Sequence, residues 1–290
     1  MSDRKIENRK EEKKKRNKTA KKQMTLVWKI IMLAAVVVLA VSLWQLSSIL
    51  LEYHQGEAVY EEILSHMDQV ELPLPTEEDE GGQDGDASRE ETALGESENT
   101  VGEERLTLTV PDFAYLQGIN SDVVGWIQIP GTVINYPIVQ GSDNDYYLTH
   151  TFTGEENSGG AIFLDAAIGD GLDDKNPIIH GHNLKSGAMF SRLNRYARRD
   201  FWDANRYIYI TTPEGIRVYE VFSAYEAQLD ADIYYFGFGS DDNFQAYIDR
   251  VMSYSIYDAG ISVTKDDDIV TLSTCANDTS LRFVVHAKRV

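Results

Sequence analysis

The sequence predicts a mainly β protein: a closed β-barrel of about eight strands with peripheral helices, preceded by a single N-terminal transmembrane helix. Short β-like segments separated by Pro and Gly turns fill the C-terminal part of the chain, a pattern typical of barrels. A long apolar run lies near the N-terminus, and an acidic stretch rich in Gly and Ser separates it from the β-like part. We therefore divide the 290 residues into four regions: 1–25, 26–51, 52–104 and 105–290.

Residues 1–25 form a basic tail that precedes the apolar run of residues 26–51. The tail contains eleven Lys and Arg against four Asp and Glu, a net charge of +7. Between Ile30 and Trp44 only Ser42 is polar, and with its flanks the run exceeds the roughly 20 residues that a helix needs to cross a bilayer. The positive-inside rule predicts a cytoplasmic tail and an extracellular remainder. A cleaved signal peptide is the alternative, although no small-x-small cleavage site follows the run.

The composition of residues 52–104 predicts an extracellular stalk that continues into an acidic, flexible linker. In residues 52–70 the apolar side chains fall near one stripe of an amphipathic helix, at Val59, Ile63, Met67 and Val70. Residues 71–104 are rich in Asp, Glu, Gly and Ser and nearly lack aromatic and β-branched residues. Such a segment buries too little apolar surface to offset the entropy of ordering, so we expect it to be disordered.

The charge of the chain beyond the tail argues against a nucleic-acid-binding function. The whole chain carries −20 and the tail +7, so the remaining residues carry −27. Nucleic-acid-binding domains need a basic surface. We therefore expect no nucleic-acid partner, and attribute the basic tail to membrane orientation.

Eight β-like segments within residues 105–290 predict the strands of the barrel, because they are rich in β-branched and aromatic residues and end at turn signals. They cover residues 123–130, 133–140, 160–165, 176–182, 207–212, 216–222, 268–274 and 281–287. Two helices are expected between them, one over about residues 188–200 and one that starts near Asp241 as its N-cap. The second helix has apolar residues at helical spacing, at Phe244, Tyr247, Ile248 and Val251.

Cys275 is the only cysteine of the chain, and it stands where the predicted strand 268–274 gives way to the loop-like sequence A-N-D-T-S. One cysteine cannot form an internal disulfide. A thiol at the end of a strand can be rigidly held and still be reached, as a nucleophile must be. The alternative is a buried and inert side chain, because free Cys is among the most buried residue types.

A cysteine nucleophile reacts as the thiolate and needs a base or a cationic neighbour. Of the six histidines, His182 is the best candidate, because two apolar residues lead into His180-Gly181-His182 and a loop follows. We expect His180 to be a structural side chain beside the site. Arg282 is a candidate for a fixed guanidinium that stabilises an oxyanion, with a surface arginine as the alternative. We expect His286 to be structural.

A metal site is a weaker interpretation of the same region. Its side chains of acceptable zinc-ligand type are His180, His182, Cys275 and Asp278. The H-x-H pattern lacks the second cysteine that would support such a site. We therefore predict no metal and no other cofactor.

The motifs around these residues resemble those of the sortase family, the membrane-anchored cysteine transpeptidases of Gram-positive bacteria. T-L-S-T-C is followed at short distance by R-F-V-V and preceded far upstream by I-I-H-G-H-N. The segments G-W-I-Q-I-P-G-T-V-I-N-Y-P-I-V-Q, N-D-Y-Y-L and G-A-I-F-L-D are similar in order and spacing to class B sortases. The resemblance covers about residues 106–290, together with the N-terminal anchor.

The resemblance implies roles for seven residues. The catalytic histidine, cysteine and arginine correspond to His182, Cys275 and Arg282. The substrate-binding residues correspond to Asn144, Leu148, Ser273 and Thr274. Position 180 departs from the family, because many class B members have Tyr where this chain has His180. An acidic residue near the cysteine would correspond to Asp278, to which we assign no role.

The resemblance also implies a function. The Cys275 thiolate attacks a peptide bond in the C-terminal sorting signal of a surface protein, and His182 protonates the leaving amine. An amine of a peptidoglycan precursor or cross-bridge then takes the acyl group from the enzyme, which fixes the surface protein to the cell wall. A hydrolytic cysteine peptidase and a membrane-tethered binding module with an inert Cys275 remain as alternatives.

Overall fold

The structure, a computed structural model, describes residues 16, 21, 24, 28–29, 31–47, 59–73, 105–228, 233–275 and 281–290. The chain forms two compact units, Met1–Gln55 and Gly56–Val290. In the first unit residues 31–47 are helical and exposed. Within the described part of the chain, no helix is long and apolar enough to cross a membrane. The transmembrane helix over residues 26–51 therefore stays a prediction.

Ten strands lie in the described part of the second unit. They are β1 (Asp68–Pro73), β2 (Arg105–Val110), β3 (Val123–Gln128), β4 (Asn135–Val139), β5 (Ile162–Leu164), β6 (Ile178–His182), β7 (Tyr207–Thr212), β8 (Gly215–Gln228), β9 (Ile269–Cys275) and β10 (Leu281–Arg289). The last eight close into a barrel in the order β10-β8-β7-β3-β4-β5-β6-β9. This confirms the predicted closed barrel, and each of the eight predicted segments contributes one strand.

Short helices connect the strands. In the described residues these are α1 (Phe113–Ile119), α2 (Arg199–Ala204) and α3 (Asp241–Ser253), with 3-10 helices η1 (Tyr146–Leu148), η2 (Gly171–Asp173) and η3 (Leu193–Ala197). The single helix predicted over residues 188–200 is wrong, because η3 and α2 are separate. Arg198 lies between them in an extended conformation, with φ −110° and ψ 127°, which interrupts helical hydrogen bonding.

Helix α3 packs on the outside of the barrel against apolar residues of β8, β9 and β10. The four residues predicted to form its apolar stripe are all buried. Its N-cap is Ser240 rather than the predicted Asp241, because the extended Ser240 lets its hydroxyl accept a hydrogen bond from the backbone N–H of Asn243.

The predicted amphipathic helix over residues 52–70 is wrong in its second half. Residues 59–64 are helical, but β1 begins at Asp68 and pairs antiparallel with β2. Val70 and Leu72 lie opposite Leu108 and Leu106. Cross-strand contacts between these apolar side chains stabilise a strand pair at the place where the helix was expected to continue. Residues 52–58 and 74–104 lie outside the described residues, and the boundary at residue 105 stays a prediction.

Candidate active site

Two parallel strands bring His182 and Cys275 to one edge of the barrel. Strand β6 ends at His182, and β9 ends at Cys275. Their register runs from Ile178 opposite Thr271 to His182 opposite Cys275. Neighbouring strands lie about 4.8 Å apart, so the backbones of the predicted histidine and cysteine are immediate neighbours.

Gly181, between the two histidines of β6, lets this strand pack closely against its neighbours. A Cβ atom at Gly181 would overlap the Cδ1 atom of Ile162 and come within 2.8 Å of the Phe190 ring. The glycine therefore allows β6 to pack closely on its inner side. Because side chains alternate along a strand, His180 and His182 share the opposite face.

The His182 ring is buried and only half hydrogen-bonded. The residue is 6% exposed, and its Nε2 atom lies 2.7 Å from the backbone carbonyl oxygen of Leu148. A carbonyl can only accept, so Nε2 carries a proton and donates it to Leu148. The other ring nitrogen, Nδ1, is buried and has no hydrogen-bond partner among the described residues. Nδ1 is therefore the nitrogen left to exchange a proton with a reacting group.

Sequence reasoning missed the backbone that holds His182. The Leu148 carbonyl lies at the end of η1, and Gly160 packs directly against it. A Cβ atom at Gly160 would lie 2.5 Å from the Tyr147 carbonyl oxygen, 2.9 Å from that of Leu148 and 3.0 Å from His182 Cδ2. Gly160 also has a positive φ of 60°, which favours glycine. The Gly159-Gly160 pair before β5 was the available signal.

Arg282 is the second residue of β10 and is half-buried. It lies opposite Ala227 of β8, and its guanidinium donates a hydrogen bond to the Leu281 carbonyl oxygen at 3.2 Å. On the other side of β10 the antiparallel register with β9 begins at Val284 opposite Ser273. Arg282 is two residues before that first pair, at the edge where β9 ends.

The four predicted substrate-binding residues occupy different environments. Asn144 is exposed, and its Oδ1 atom accepts a hydrogen bond from the Ala166 N–H at 2.8 Å. Leu148 is half-buried and contacts His182 through its carbonyl. Ser273 is fully buried. Thr274 is also buried, and its hydroxyl accepts a hydrogen bond from the Phe283 N–H at 2.9 Å. Their roles in binding stay predictions.

His180 is hydrogen-bonded to Asp165, which directly follows β5. Its Nε2 atom lies 3.1 Å from the Asp165 carboxylate, and the two side chains are 12% and 10% exposed. Burial alone would raise the pKa of the Asp165 carboxyl. Hydrogen bonds from His180, the Ala167 backbone and Asn144, with the charge of His180, outweigh burial and lower this pKa to about 2. The carboxylate therefore stays ionised at neutral pH.

His286 is held inside a polar network. It is fully buried, and its ring nitrogens form hydrogen bonds with Thr271 and Tyr225. Burial lowers the pKa of His286 to about 3, so the ring is neutral at physiological pH. These contacts fit the structural role that the sequence predicts.

Within the described part of the chain, no three His, Cys, Asp or Glu residues are grouped as metal ligands would be. The set considered from the sequence includes Asp278, which lies outside the described residues. The metal-free site stays a prediction.

Comparisons with known proteins identify the family. A family model of the sortase domain matches residues 127–290. Sortase B of Listeria monocytogenes is 38% identical over 180 residues, which are 60% of this chain and 72% of that protein. Sortase B of Staphylococcus aureus is 34% identical over 181 residues, which are 61% of this chain and 74% of that protein.

Solved structures agree with these matches. Sortase B of Clostridium perfringens superposes with a TM-score of 0.59 at 32% identity, covering 62% of this chain and all of that one. A substrate complex of Staphylococcus aureus sortase B gives a TM-score of 0.59 at 34% identity, covering 61% of this chain and 84% of that one. With the barrel and the His182–Cys275 register, these matches show that the chain belongs to the sortase family of cysteine transpeptidases, as a class B member.

Proposed function

We propose that Cys275, His182 and Arg282 are the catalytic residues of this cell-wall-anchoring transpeptidase. The observation that carries the assignment is the parallel register that ends with His182 opposite Cys275. The register makes His182 and Cys275 backbone neighbours at the ends of two adjacent strands. The buried His182 Nδ1 atom, without a partner among the described residues, supplies the group that a cysteine nucleophile needs at this place.

The proposed reaction has two acyl transfers. The Cys275 thiolate attacks the carbonyl carbon of a peptide bond in the sorting signal, and the C–N bond breaks as His182 Nδ1–H protonates the leaving amine. A thioester remains on Cys275. The amine of a peptidoglycan precursor or cross-bridge then attacks the thioester, and the now neutral Nδ1 takes the proton that this amine loses. The new amide leaves, and the thiolate–imidazolium pair is restored.

Arg282 is proposed to stabilise the oxyanion of both tetrahedral intermediates. In the β9–β10 register, Val284 lies opposite Ser273. The same antiparallel register, continued by two residues, would bring Arg282 opposite Cys275. A guanidinium at that position suits the role because it is always charged and donates hydrogen bonds in a fixed geometry.

The proposed partners follow from the reaction. They are surface proteins with a C-terminal sorting motif and the peptidoglycan amine that accepts them. A relative from Staphylococcus aureus has been solved as a substrate complex, and we propose a peptide in the corresponding groove of this chain. The residues proposed to contact it are Asn144, Leu148, Ser273 and Thr274.

We also propose that residues 26–51 anchor the enzyme in the cell membrane, with the basic tail in the cytoplasm and the barrel outside. The apolar run and the charge of the tail support this. Carbonate extraction of membranes tests it: the full chain should stay in the pellet, whereas Val37→Lys/Leu39→Lys should be released in part. A native chain that is released completely would count against the anchor.

The full chain in detergent, incubated with a peptide library, tests the transpeptidase assignment. With an added amine nucleophile the product should contain that amine, and without it the thioester should be hydrolysed slowly. Cys275→Ala should abolish both products. Arg282→Ala should lower the rate about 100-fold, whereas the matched control Arg195→Ala, at an exposed site, should leave it unchanged. Hydrolysis that ignores the added amine would favour the peptidase alternative.

A further inference from the structure

His180 lies on β6 two residues before His182, next to the proposed reaction centre. It shares a face of β6 with His182, and in the parallel register it lies opposite Ser273. Two residues of a strand span about 6.6 Å. This distance suits contact with a neighbouring residue of a bound peptide better than proton transfer at the scissile bond.

Asp165 fixes the orientation of the His180 ring. The two side chains are largely buried and lie 3.1 Å apart. Because the Asp165 carboxylate is ionised, it can only accept hydrogen bonds. Nε2 of His180 therefore donates to Asp165 whether the ring is neutral or cationic. The faces of the ring are packed as well, since its centroid lies 5.2 Å from that of Phe163 and 5.6 Å from that of Tyr234.

On one side the His180–Asp165 pair supports the Asn144 turn, which we define as residues 142–145. The backbone N–H of Ala166, next to Asp165, donates to Asn144 Oδ1 at 2.8 Å, and the nearby Asn144 side chain helps to lower the pKa of Asp165. The turn leads directly into η1, whose Leu148 carbonyl holds His182. The position of Asp165 therefore sets the position of this turn.

On the other side the His180 ring contacts the Tyr234 segment, which we define as residues 233–240. The Tyr234 hydroxyl is hydrogen-bonded to Ser273 Oγ at 2.7 Å. The segment is tied to the barrel by Tyr247, which donates to the Ile233 carbonyl at 2.8 Å, and by Asn176, which donates to the Tyr235 carbonyl at 3.1 Å. His180 thus connects two segments that are 90 residues apart in the chain, one through Asp165 and the other through Tyr234.

We propose that His180, fixed by Asp165, is a positioning residue that sets the separation of the Asn144 turn and the Tyr234 segment and thereby the affinity for the sorting peptide. The proposal rests on the proposed function, because it assumes that the peptide lies along the β6 and β9 edge. It gives His180 a role in binding and none in the acyl transfer itself.

A purely structural ion pair makes a different prediction. Breaking one partner would leave a buried charge and destabilise the fold, and replacing both partners by apolar side chains would restore much of the stability. Peptide affinity would then fall and recover together with stability. If His180 positions the two segments, the double replacement restores stability but leaves the affinity low, because the hydrogen-bonded geometry is not rebuilt.

The test uses the full chain and the peptide that it cleaves best from the library. The variants are His180→Phe, Asp165→Leu, their double variant and His180→Gln, with KM, kcat and the melting temperature measured for each. We expect His180→Phe to raise KM about tenfold with kcat within twofold of wild type. The double variant should regain the melting temperature and keep the raised KM. His180→Gln, which retains an N–H for Asp165, should restore most of the affinity.

A matched control is Arg206→Gln, which breaks the partly buried Arg206–Glu220 pair and should leave KM unchanged. An unchanged KM in His180→Phe, or a KM that recovers with the melting temperature in the double variant, would overturn the positioning role and leave the transpeptidase assignment intact. If the wild-type chain cleaves no peptide of the library, the proposed function fails and the positioning role falls with it.

Discussion

His182 at the strand edge and His286 in the interior are both buried, but their hydrogen bonding differs. His286 uses both ring nitrogens, with Nδ1 2.9 Å from the Thr271 hydroxyl and Nε2 3.0 Å from the Tyr225 hydroxyl. The Thr271 hydroxyl donates its proton to Asn176, so His286 Nδ1–H donates to Thr271, and Tyr225 donates to Nε2. His182 donates through Nε2 only.

This difference in hydrogen bonding supports the proposal that His182 acts in catalysis and His286 in stability. A buried polar atom without a partner costs about 1–3 kcal/mol, and we propose that a reacting group of the substrate supplies the partner that His182 Nδ1 lacks among the described residues. His286 has no such free nitrogen, and its neutral ring joins β8, β9 and β10. We therefore expect changes at His182 to affect turnover and changes at His286 to affect stability.

The largest expected effect is on turnover in His182→Ala. Loss of a general acid and base typically lowers the rate by 100- to 10,000-fold, so we expect kcat/KM to fall about 1,000-fold while the melting temperature changes little. Peptide cleavage and thermal unfolding of the same preparation measure both. The matched control is His66→Ala, at an exposed histidine, which should keep wild-type turnover. Comparable losses in both variants would contradict the assignment.

The second prediction concerns His286→Leu. The substitution leaves the buried Tyr225 and Thr271 hydroxyls each without one hydrogen-bond partner, which should lower the free energy of unfolding by about 2–3 kcal/mol. Residual activity per folded molecule should stay near wild type. Chemical denaturation combined with an activity assay measures this. An equal stability with a large loss of turnover would reverse the roles that we give to the two histidines.

The third prediction tests the backbone that holds His182. In Gly160→Ala the new Cβ would press on the Leu148 carbonyl in a backbone conformation that alanine disfavours, so we expect kcat to fall about tenfold and stability by about 1–2 kcal/mol. Gly169→Ala is the control, because a Cβ there meets no atom within 4 Å. If both variants have the same kcat, the Leu148 carbonyl does not orient the catalytic ring.

The last prediction is a pH dependence of stability, which leaves turnover at the proposed site unchanged. The unfolded chain protonates His286 near pH 6.5, whereas the folded chain keeps it neutral down to about pH 3. The unfolded state therefore binds more protons, and stability should fall as the pH decreases below 6.5, by at most about 1.4 kcal/mol per pH unit from this group. His286→Gln should have a flatter profile between pH 6.5 and 4. Parallel profiles would show that His286 is accessible to protons in the folded state.

The sequence predicted the barrel because its strand segments either alternate apolar and polar residues or are rich in β-branched residues, and because they end at turn signals. It singled out His182 and Cys275 because both lie where a predicted strand gives way to a loop, and the parallel β6–β9 pairing makes them neighbours. Motif spacing cannot reveal contacts between distant backbone atoms, such as the Leu148 carbonyl with the His182 ring. No sequence pattern indicated that Asp165 pairs with His180, since fifteen residues and a turn separate them.

The errors at the periphery have a similar cause. Val70 fits the stripe of a helix and also the alternation of a strand, and only its pairing with Leu108 decides between the two. The helix over residues 188–200 failed because local helix propensity says little about the extended Arg198 that separates η3 from α2. Local patterns were reliable where packing reinforces them and failed where tertiary contacts choose between two compatible structures.

The most direct test of the central claim is to trap the acyl-enzyme. The full chain is mixed with its best peptide substrate, and the reaction is quenched in acid and digested. The mass of the fragment that contains Cys275 is then measured by mass spectrometry. We predict a thioester adduct of the acyl part of the peptide on Cys275, which disappears when an amine nucleophile is added before the quench. Cleavage by the native chain with no adduct on Cys275 would contradict the assignment of Cys275 as the nucleophile. Cleavage at the wild-type rate by the Cys275→Ala variant would contradict it as well.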